Sequence, residues 1–157
     1  MIERVDISAA DLMFVRHGED HFIDGRGEAL TDLGETQALD AAVQLESEGF
    51  NEDSLILAST APRAEATGRI IADLLGSQLR TELIIESRGL SISENISRGD
   101  PRTLIRQIIE FRRLPVGQTI AVVTHQPFID LFNPNAPTRN GEVVRYVDGN
   151  WRLGQKQ

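Results

Sequence analysis

Two of the three histidines in this chain follow the ends of predicted strands, next to groups that bind anions. His17 comes directly after Arg16, at the end of the apolar run 12–15, and His125 follows the β-branched run 119–124. A neutral imidazole can attack phosphorus and form a covalent intermediate. Arginine forks and protonated histidine donate hydrogen bonds to the oxygens of a transferring phosphoryl group. These residue types therefore fit phosphoryl-transfer chemistry.

A second arginine and the third histidine lead to different expectations. Arg63 lies near the start of a predicted helix, an unfavourable place for a cation unless it faces an anion, so its position supports a functional role. His21 stands four residues after His17, but a metal site needs further ligands at known spacings. We expect His21 to be an ordinary loop residue, and we predict no metal.

Strands that alternate with helices must position these groups. Turn residues and apolar runs predict strands at 12–15, 54–58, 82–86 and 119–124, helices at 31–48, from 62 to about 75 and from 101, a loop at 20–30, and a hairpin of 142–147 with 150–153. This alternation predicts an α/β domain with a mainly parallel sheet, helices on both faces and antiparallel edge strands. Ligands of such sheets bind at the carboxyl ends of the strands, where both histidines and Arg63 are expected.

Composition narrows the functional class. The chain has 157 residues, a length that suits a single domain over 1–157, with a polar N-terminal extension at 1–10. It has no cysteine, which excludes disulfides and thiolate chemistry. Acids outnumber bases by 24 to 16, a net charge of −8, and this balance argues against binding to nucleic acid.

The sequence also bears on cellular location. It contains no run of 18 apolar residues that could span a membrane, and its first residues carry acids where a signal peptide would need a basic start. We therefore expect a cytoplasmic protein that does not bind membranes.

Five segments, in order, resemble the histidine phosphatase superfamily, which includes the phosphoglycerate mutases. Arg16-His17-Gly18-Glu19 resembles the superfamily signature, and 30–38 resembles the start of its first helix. The segment from Ser59 to Thr67 resembles the second arginine motif, and Val122 to Pro127 the second histidine motif. Glu94, followed by Gly99-Asp100, resembles the acid-bearing loop of the short SixA-type phosphohistidine phosphatases.

The resemblance implies a role for each matching residue. His17 would be the nucleophile, and Arg16 and Arg63 would bind the phosphoryl oxygens. His125 would hydrogen-bond the same group and stabilise its charge in the transition state. Glu94 would be the general acid and then the base, with Glu86 held in reserve. The implied fold is a three-layer α/β/α sandwich, and no cofactor is implied.

Departures from the family pattern bear on the substrate. Mutase-type members have serine or threonine where this chain has Asp20, which weakens a mutase assignment. Only 30 residues separate Glu94 from His125, which leaves little chain for a lid over the site. An open site suits phosphohistidine on a protein, for example on a phosphotransfer domain. A small-molecule phosphomonoesterase with the same catalytic set and a silent phosphate-binding module remain the alternatives.

Overall fold

The computed structural model describes residues 11–23, 27–82, 101–114, 119–125, 139–147 and 150–153. Along the chain these residues form β1 (Asp11–Arg16), β2 (Asp20–Ile23), β3 (Gly27–Leu30), α1 (Asp32–Ser47), β4 (Leu55–Ser59), α2 (Pro62–Leu75), β5 (Gln78–Glu82), α3 (Pro101–Arg112), β6 (Thr119–Thr124), β7 (Val143–Val147) and β8 (Asn150–Leu153).

A mainly parallel sheet organises the fold. Within the described segments its six strands lie in the order β5-β4-β6-β1-β7-β8. The four strands β5, β4, β6 and β1 run parallel to one another, whereas β7 pairs antiparallel with β1 and β8 pairs antiparallel with β7. The predicted fold class is confirmed, including the antiparallel hairpin at the edge. The carboxyl ends of the adjacent central strands β4, β6 and β1 lie side by side, and the candidate site lies at these strand ends.

Both faces of the central strands are buried, as a three-layer arrangement requires. On one face the alternate residues Met13, Val15, Ile56 and Val123 pack against the alanine-rich side of α1 and the apolar side of α2. The strand residues that point to the other face are buried as well, among them Leu12, Phe14, Leu57 and Val122. Apolar residues at every strand position are typical of a sheet covered on both sides.

Local signals set the ends of the two helices that carry site residues. The Thr31 side chain accepts a hydrogen bond from the Gly34 N–H at 2.9 Å and caps α1. Pro62 occupies the first turn of α2, where its missing N–H costs no helical hydrogen bond. Gly76 ends α2 in the left-handed conformation, with φ 72°. These ends agree with the sequence predictions.

Two element predictions need correction. Residues 20–30 were expected to form a loop, but β2 and β3 pair there as an antiparallel hairpin. The Asp and Gly content of the segment hid a short β-prone stretch, 21–23, ahead of the Asp24-Gly25 turn signal. A strand was predicted at 82–86, but β5 already begins at Gln78 and includes Glu82, so the predicted start was four residues too late; residues 83–86 lie outside the described residues. As an edge strand, β5 pairs with a neighbour on one side only. Its sequence is polar, so it lacks the apolar run that predicts a buried strand.

A search for helices long and apolar enough to cross a membrane finds none among the described residues.

Candidate active site

The site forms where the central strands end. Arg16 closes β1 in register with Thr124 of β6, and the His17 N–H donates to the Thr124 carbonyl at 2.9 Å. His125 follows on β6, and its ring centroid lies 5.2 Å from that of His17. The two histidines, 108 positions apart in the sequence, are therefore neighbours because β1 and β6 are adjacent and parallel.

The His17 ring is held in a defined tautomer. Its Nδ1 lies 2.8 Å from the Gly18 carbonyl oxygen, which can only accept, so Nδ1 carries the proton. The lone pair is then on Nε2. Burial lowers the pKa of His17 below its usual value, and the nearby Arg63 and Arg16 charges lower it further. A neutral imidazole with a free Nε2 lone pair is the form that can attack phosphorus.

His125 is held from the other side by β4. Its Nε2 lies 2.9 Å from the Ser59 hydroxyl, which also accepts a hydrogen bond from the Ala61 N–H. Within the described part of the chain, the buried Nδ1 of His125 has no hydrogen-bond partner. Burial, followed by the Arg63 charge, lowers the pKa of His125 to about 3. When Ser59 donates its hydroxyl proton to Nε2, Nδ1 carries a proton that is free to bind an anion.

Positive charge converges on both rings. The guanidinium groups of Arg63 and Arg16 lower the pKa of each histidine, so both lie close enough to act on both imidazoles. Arg63 is the second residue of α2, and Arg16 is the last of β1. An entering phosphoryl dianion would offset this cationic field and raise the pKa values of both histidines.

Glu94 and Glu86 lie outside the described residues, so their roles stay predictions.

The turn after β1 is packed backbone against backbone onto the first turn of α1. A Cβ on Gly18 would overlap the Gly34 carbonyl oxygen, and a Cβ on Gly34 would overlap the Glu19 carbonyl oxygen. The Glu19 N–H donates to the Gln37 side chain at 2.8 Å, and the Glu19 carboxylate accepts from the Thr31 hydroxyl at 2.9 Å. These contacts hold Glu19 at the start of α1, so α1 sets the position of the His17 turn.

Thr67 joins the His17 turn to the helix that carries Arg63. Its buried hydroxyl accepts from the Gly18 N–H at 2.9 Å and donates to the Arg63 carbonyl at 2.8 Å. Thr67 lies one helical turn after Arg63, on the same side of α2. A single hydroxyl thus fixes the distance between two of the groups that surround the candidate anion site.

We expect Thr67→Val to weaken both fold and activity. The substitution keeps the shape but leaves the buried Gly18 N–H without an acceptor, which costs about 1–3 kcal/mol in free energy of unfolding. A shift of the His17 turn by a fraction of an ångström should also lower kcat/KM by roughly tenfold. Thr67→Ser keeps the hydroxyl and is the matched control. Denaturant unfolding and phosphatase assays check the pair, and equal kcat/KM for Thr67→Val and the wild-type protein would contradict the bridging role.

The remaining histidine, His21, was expected in a loop, and this expectation was wrong. His21 lies on β2 with an exposed side chain. Over the described ranges, no group of three histidine, cysteine, aspartate or glutamate side chains is arranged to hold a metal ion.

Three supporting residues were missed by the sequence reasoning. No role was predicted for Ser59 and Thr67 of the second arginine motif, or for Gly34 in the segment 30–38. Each acts through a contact to a distant segment: Ser59 to His125, Thr67 to Gly18, and Gly34 to Glu19. The one local signal was the i, i+4 spacing of Arg63 and Thr67.

The fold and this cluster define an α/β protein with a histidine pair and two arginines at the carboxyl ends of parallel strands. The sequence pattern of the histidine phosphatase superfamily (branch 1) matches residues 12–90, half of the chain. The protein belongs to this superfamily. No protein among those with curated functions matches the sequence.

Solved structures confirm the fold at low sequence identity. A mycobacterial glucosyl-3-phosphoglycerate phosphatase, in complex with VO3, is 18% identical with a TM-score of 0.63, and the match covers 94% of this chain and 99% of that one. The protein histidine phosphatase SixA, in complex with tungstate, is 16% identical with a TM-score of 0.65, over 92% of this chain and 94% of that one. An Escherichia coli protein, provisionally an alpha-ribazole-5'-P phosphatase, is 20% identical with a TM-score of 0.58, over 92% and 95% of the two chains.

Proposed function

We propose that this protein is a phosphatase that works through a covalent phosphohistidine on His17. The observation that carries the proposal is the state of the His17 ring: Nδ1 is protonated against the Gly18 carbonyl, the pKa is lowered, and Nε2 keeps its lone pair. A ring in this state, beside a second histidine and two arginines, can attack phosphorus and does not need a metal to become nucleophilic.

Each neighbouring group has a part in this reaction. Arg16 and Arg63 bind the phosphoryl oxygens, whose negative charge matches the field that lowers both histidine pKa values. His125 donates from Nδ1 to the same group, with Ser59 holding its Nε2. Glu94, or Glu86 in its place, protonates the leaving atom and later activates the water that releases phosphate. The carboxylate role rests on the family resemblance alone.

For the substrate, we propose phosphohistidine carried by a protein such as a phosphotransfer domain. The P–N bond becomes labile once its nitrogen is protonated, so this substrate demands less of the general acid than an alkyl phosphate does. The short segment between Glu94 and His125 leaves little chain to enclose a small molecule. One of the solved structures with this fold is a protein histidine phosphatase.

The second candidate is a small-molecule phosphomonoesterase with the same catalytic residues. The observation that favours it is the presence of glucosyl-3-phosphoglycerate phosphatase among proteins of the same fold. A silent phosphate-binding module is the third reading, and the lone pair on His17 Nε2 argues against it.

A comparison of kcat/KM between substrates distinguishes these three functions. We expect kcat/KM for a phosphohistidine-carrying phosphotransfer domain to exceed that for sugar phosphates and phosphoglycerates. Inorganic phosphate release is measured for each substrate with the same enzyme preparation. Higher kcat/KM on the metabolites would support the phosphomonoesterase, and phosphate binding without any turnover would support the silent module.

A further inference from the structure

An acidic side chain lies behind the His17 ring, on the side away from the reactive nitrogen. Asp20 begins β2, and its Oδ1 is 3.9 Å from His17 Nδ1. This distance is too long for a hydrogen bond, and the Nδ1 proton already goes to the Gly18 carbonyl. The Asp20 side chain is 28% exposed and that of His17 is 9% exposed. The carboxylate therefore faces the ring across a partly dehydrated gap, where charges interact more strongly than in water.

The covalent step in the proposed mechanism places a positive charge on this ring. Nε2 gives its lone pair to phosphorus, the bond from phosphorus to the leaving atom breaks, and the leaving atom takes that electron pair together with a proton from the general acid. Nδ1 keeps its own proton, because the Gly18 carbonyl holds it. The phosphorylated imidazole is then a cation. When water attacks phosphorus, the N–P electron pair returns to Nε2 and the ring becomes neutral again.

We propose that Asp20 is a positioning residue that stabilises the cationic ring of phosphorylated His17, an inference that rests on the proposed covalent mechanism. The charged groups that face His17 from the described elements are Arg16 of β1, Arg63 of α2 and Asp20 of β2, and His125 after β6 is the titratable neighbour. Both arginines disfavour a cation at this position. Asp20 is the carboxylate in this set that favours one, so it offsets the cost of the same arginines that bind the phosphoryl group.

The same charges act on the His17 imidazole before it is phosphorylated. Asp20 acts to raise the pKa of His17 against the lowering caused by burial and by the arginines. Asp20→Asn keeps the size of the side chain and removes its charge, so the pKa of His17 should fall further. The chain has three histidines, and His21 is exposed whereas His125 has a pKa of about 3, so the imidazole proton signals can be assigned by NMR.

The test compares wild-type protein, Asp20→Asn, and Asp40→Asn as a matched control. Asp40 is an exposed residue of α1, so its replacement removes the same charge away from the site. For Asp20→Asn we expect kcat/KM for p-nitrophenyl phosphate to fall about tenfold, equivalent to about 1.4 kcal/mol. The acid limb of its pH profile should move to lower pH, because a less basic His17 stays neutral further into acid.

Phosphoenzyme stability provides a second kinetic readout. Protein phosphorylated with phosphoramidate should lose its phosphate faster in Asp20→Asn than in wild type, because the cationic intermediate loses more stabilisation than the transition state that leads from it. A merely structural role for Asp20 would lower activity without moving the acid limb downward or shortening the life of the phosphoenzyme. Asp40→Asn should match wild type in all three measurements.

The measurements distinguish an incorrect role for Asp20 from an incorrect covalent mechanism on His17. If wild type turns over and Asp20→Asn has the same acid limb, phosphoenzyme lifetime and His17 titration, the inference is wrong and the covalent mechanism stands. If wild type captures no phosphate on His17 with either probe, the proposed function fails and the inference falls with it. An unchanged His17 titration by NMR would by itself overturn the role of Asp20, because that measurement needs no activity.

Discussion

Replacing His17 with asparagine is expected to abolish the covalent intermediate and lower kcat by roughly 10⁴-fold or more, a loss of the size seen when a catalytic nucleophile is removed. The neutral Nε2 lone pair is the one nucleophile that the described geometry prepares for phosphorus. The arginines and His125 would still bind phosphate, so affinity for inorganic phosphate should survive the substitution. Activity and binding should therefore separate.

A rapid-quench experiment with radiolabelled phosphohistidine protein measures this directly. Wild type should capture label that is stable in alkali and labile in acid, and His17→Asn should capture none. The matched control is His21→Asn, because His21 is the exposed histidine on β2 and undergoes the same chemical change. Circular dichroism establishes that both variants are folded. Undiminished label on His17→Asn would exclude this histidine as the nucleophile.

Gly34→Ala is expected to damage the site from outside it. In an exposed helix position this change usually stabilises, by up to about 1 kcal/mol. Here the new methyl group would overlap the Glu19 carbonyl oxygen and lie 2.9 Å from the carbonyl carbon. Both atoms belong to the backbone of the turn that carries His17, which cannot rotate away as a flexible side chain would. We therefore expect the free energy of unfolding to fall by about 2–3 kcal/mol, in the range for overpacked interiors.

Gly34→Ala should also lower catalysis, by a free energy of about the same size as its effect on stability. The turn that would have to move contains Gly18, whose carbonyl sets the His17 tautomer. A displacement of about 1 Å in a catalytic group can cost on the order of 10²-fold in rate, so we expect a loss of that size in kcat/KM.

Thr36→Ala is the control for Gly34→Ala, because Thr36 is exposed on the same turn of α1 and its loss should change stability by no more than about 0.5 kcal/mol. Urea unfolding and phosphate-release assays compare the three proteins. A stability equal to or above that of wild type for Gly34→Ala would contradict the close backbone packing.

Residue types and local spacing predict the fold class, the family, and the histidines and arginines that meet at the carboxyl ends of the strands. Apolar runs of strand length that alternate with helical segments leave few arrangements other than a mainly parallel sheet. His17 and His125 could be placed together because each directly follows a buried strand, and parallel strands end at one edge. These signals are local, since they depend on residues a few positions apart.

The contacts that hold these residues in place come from packing between distant segments. Ser59 fixes His125, Thr67 links Gly18 to the Arg63 helix, and Gly34 admits the turn at Glu19. Each contact joins segments at least 15 residues apart, and nothing in either segment alone requires it. The place of Asp20 also depends on β2, which lies in a segment whose composition predicts a loop. Side-chain chemistry can be read from residue types, but the distances that tune it arise from packing between elements.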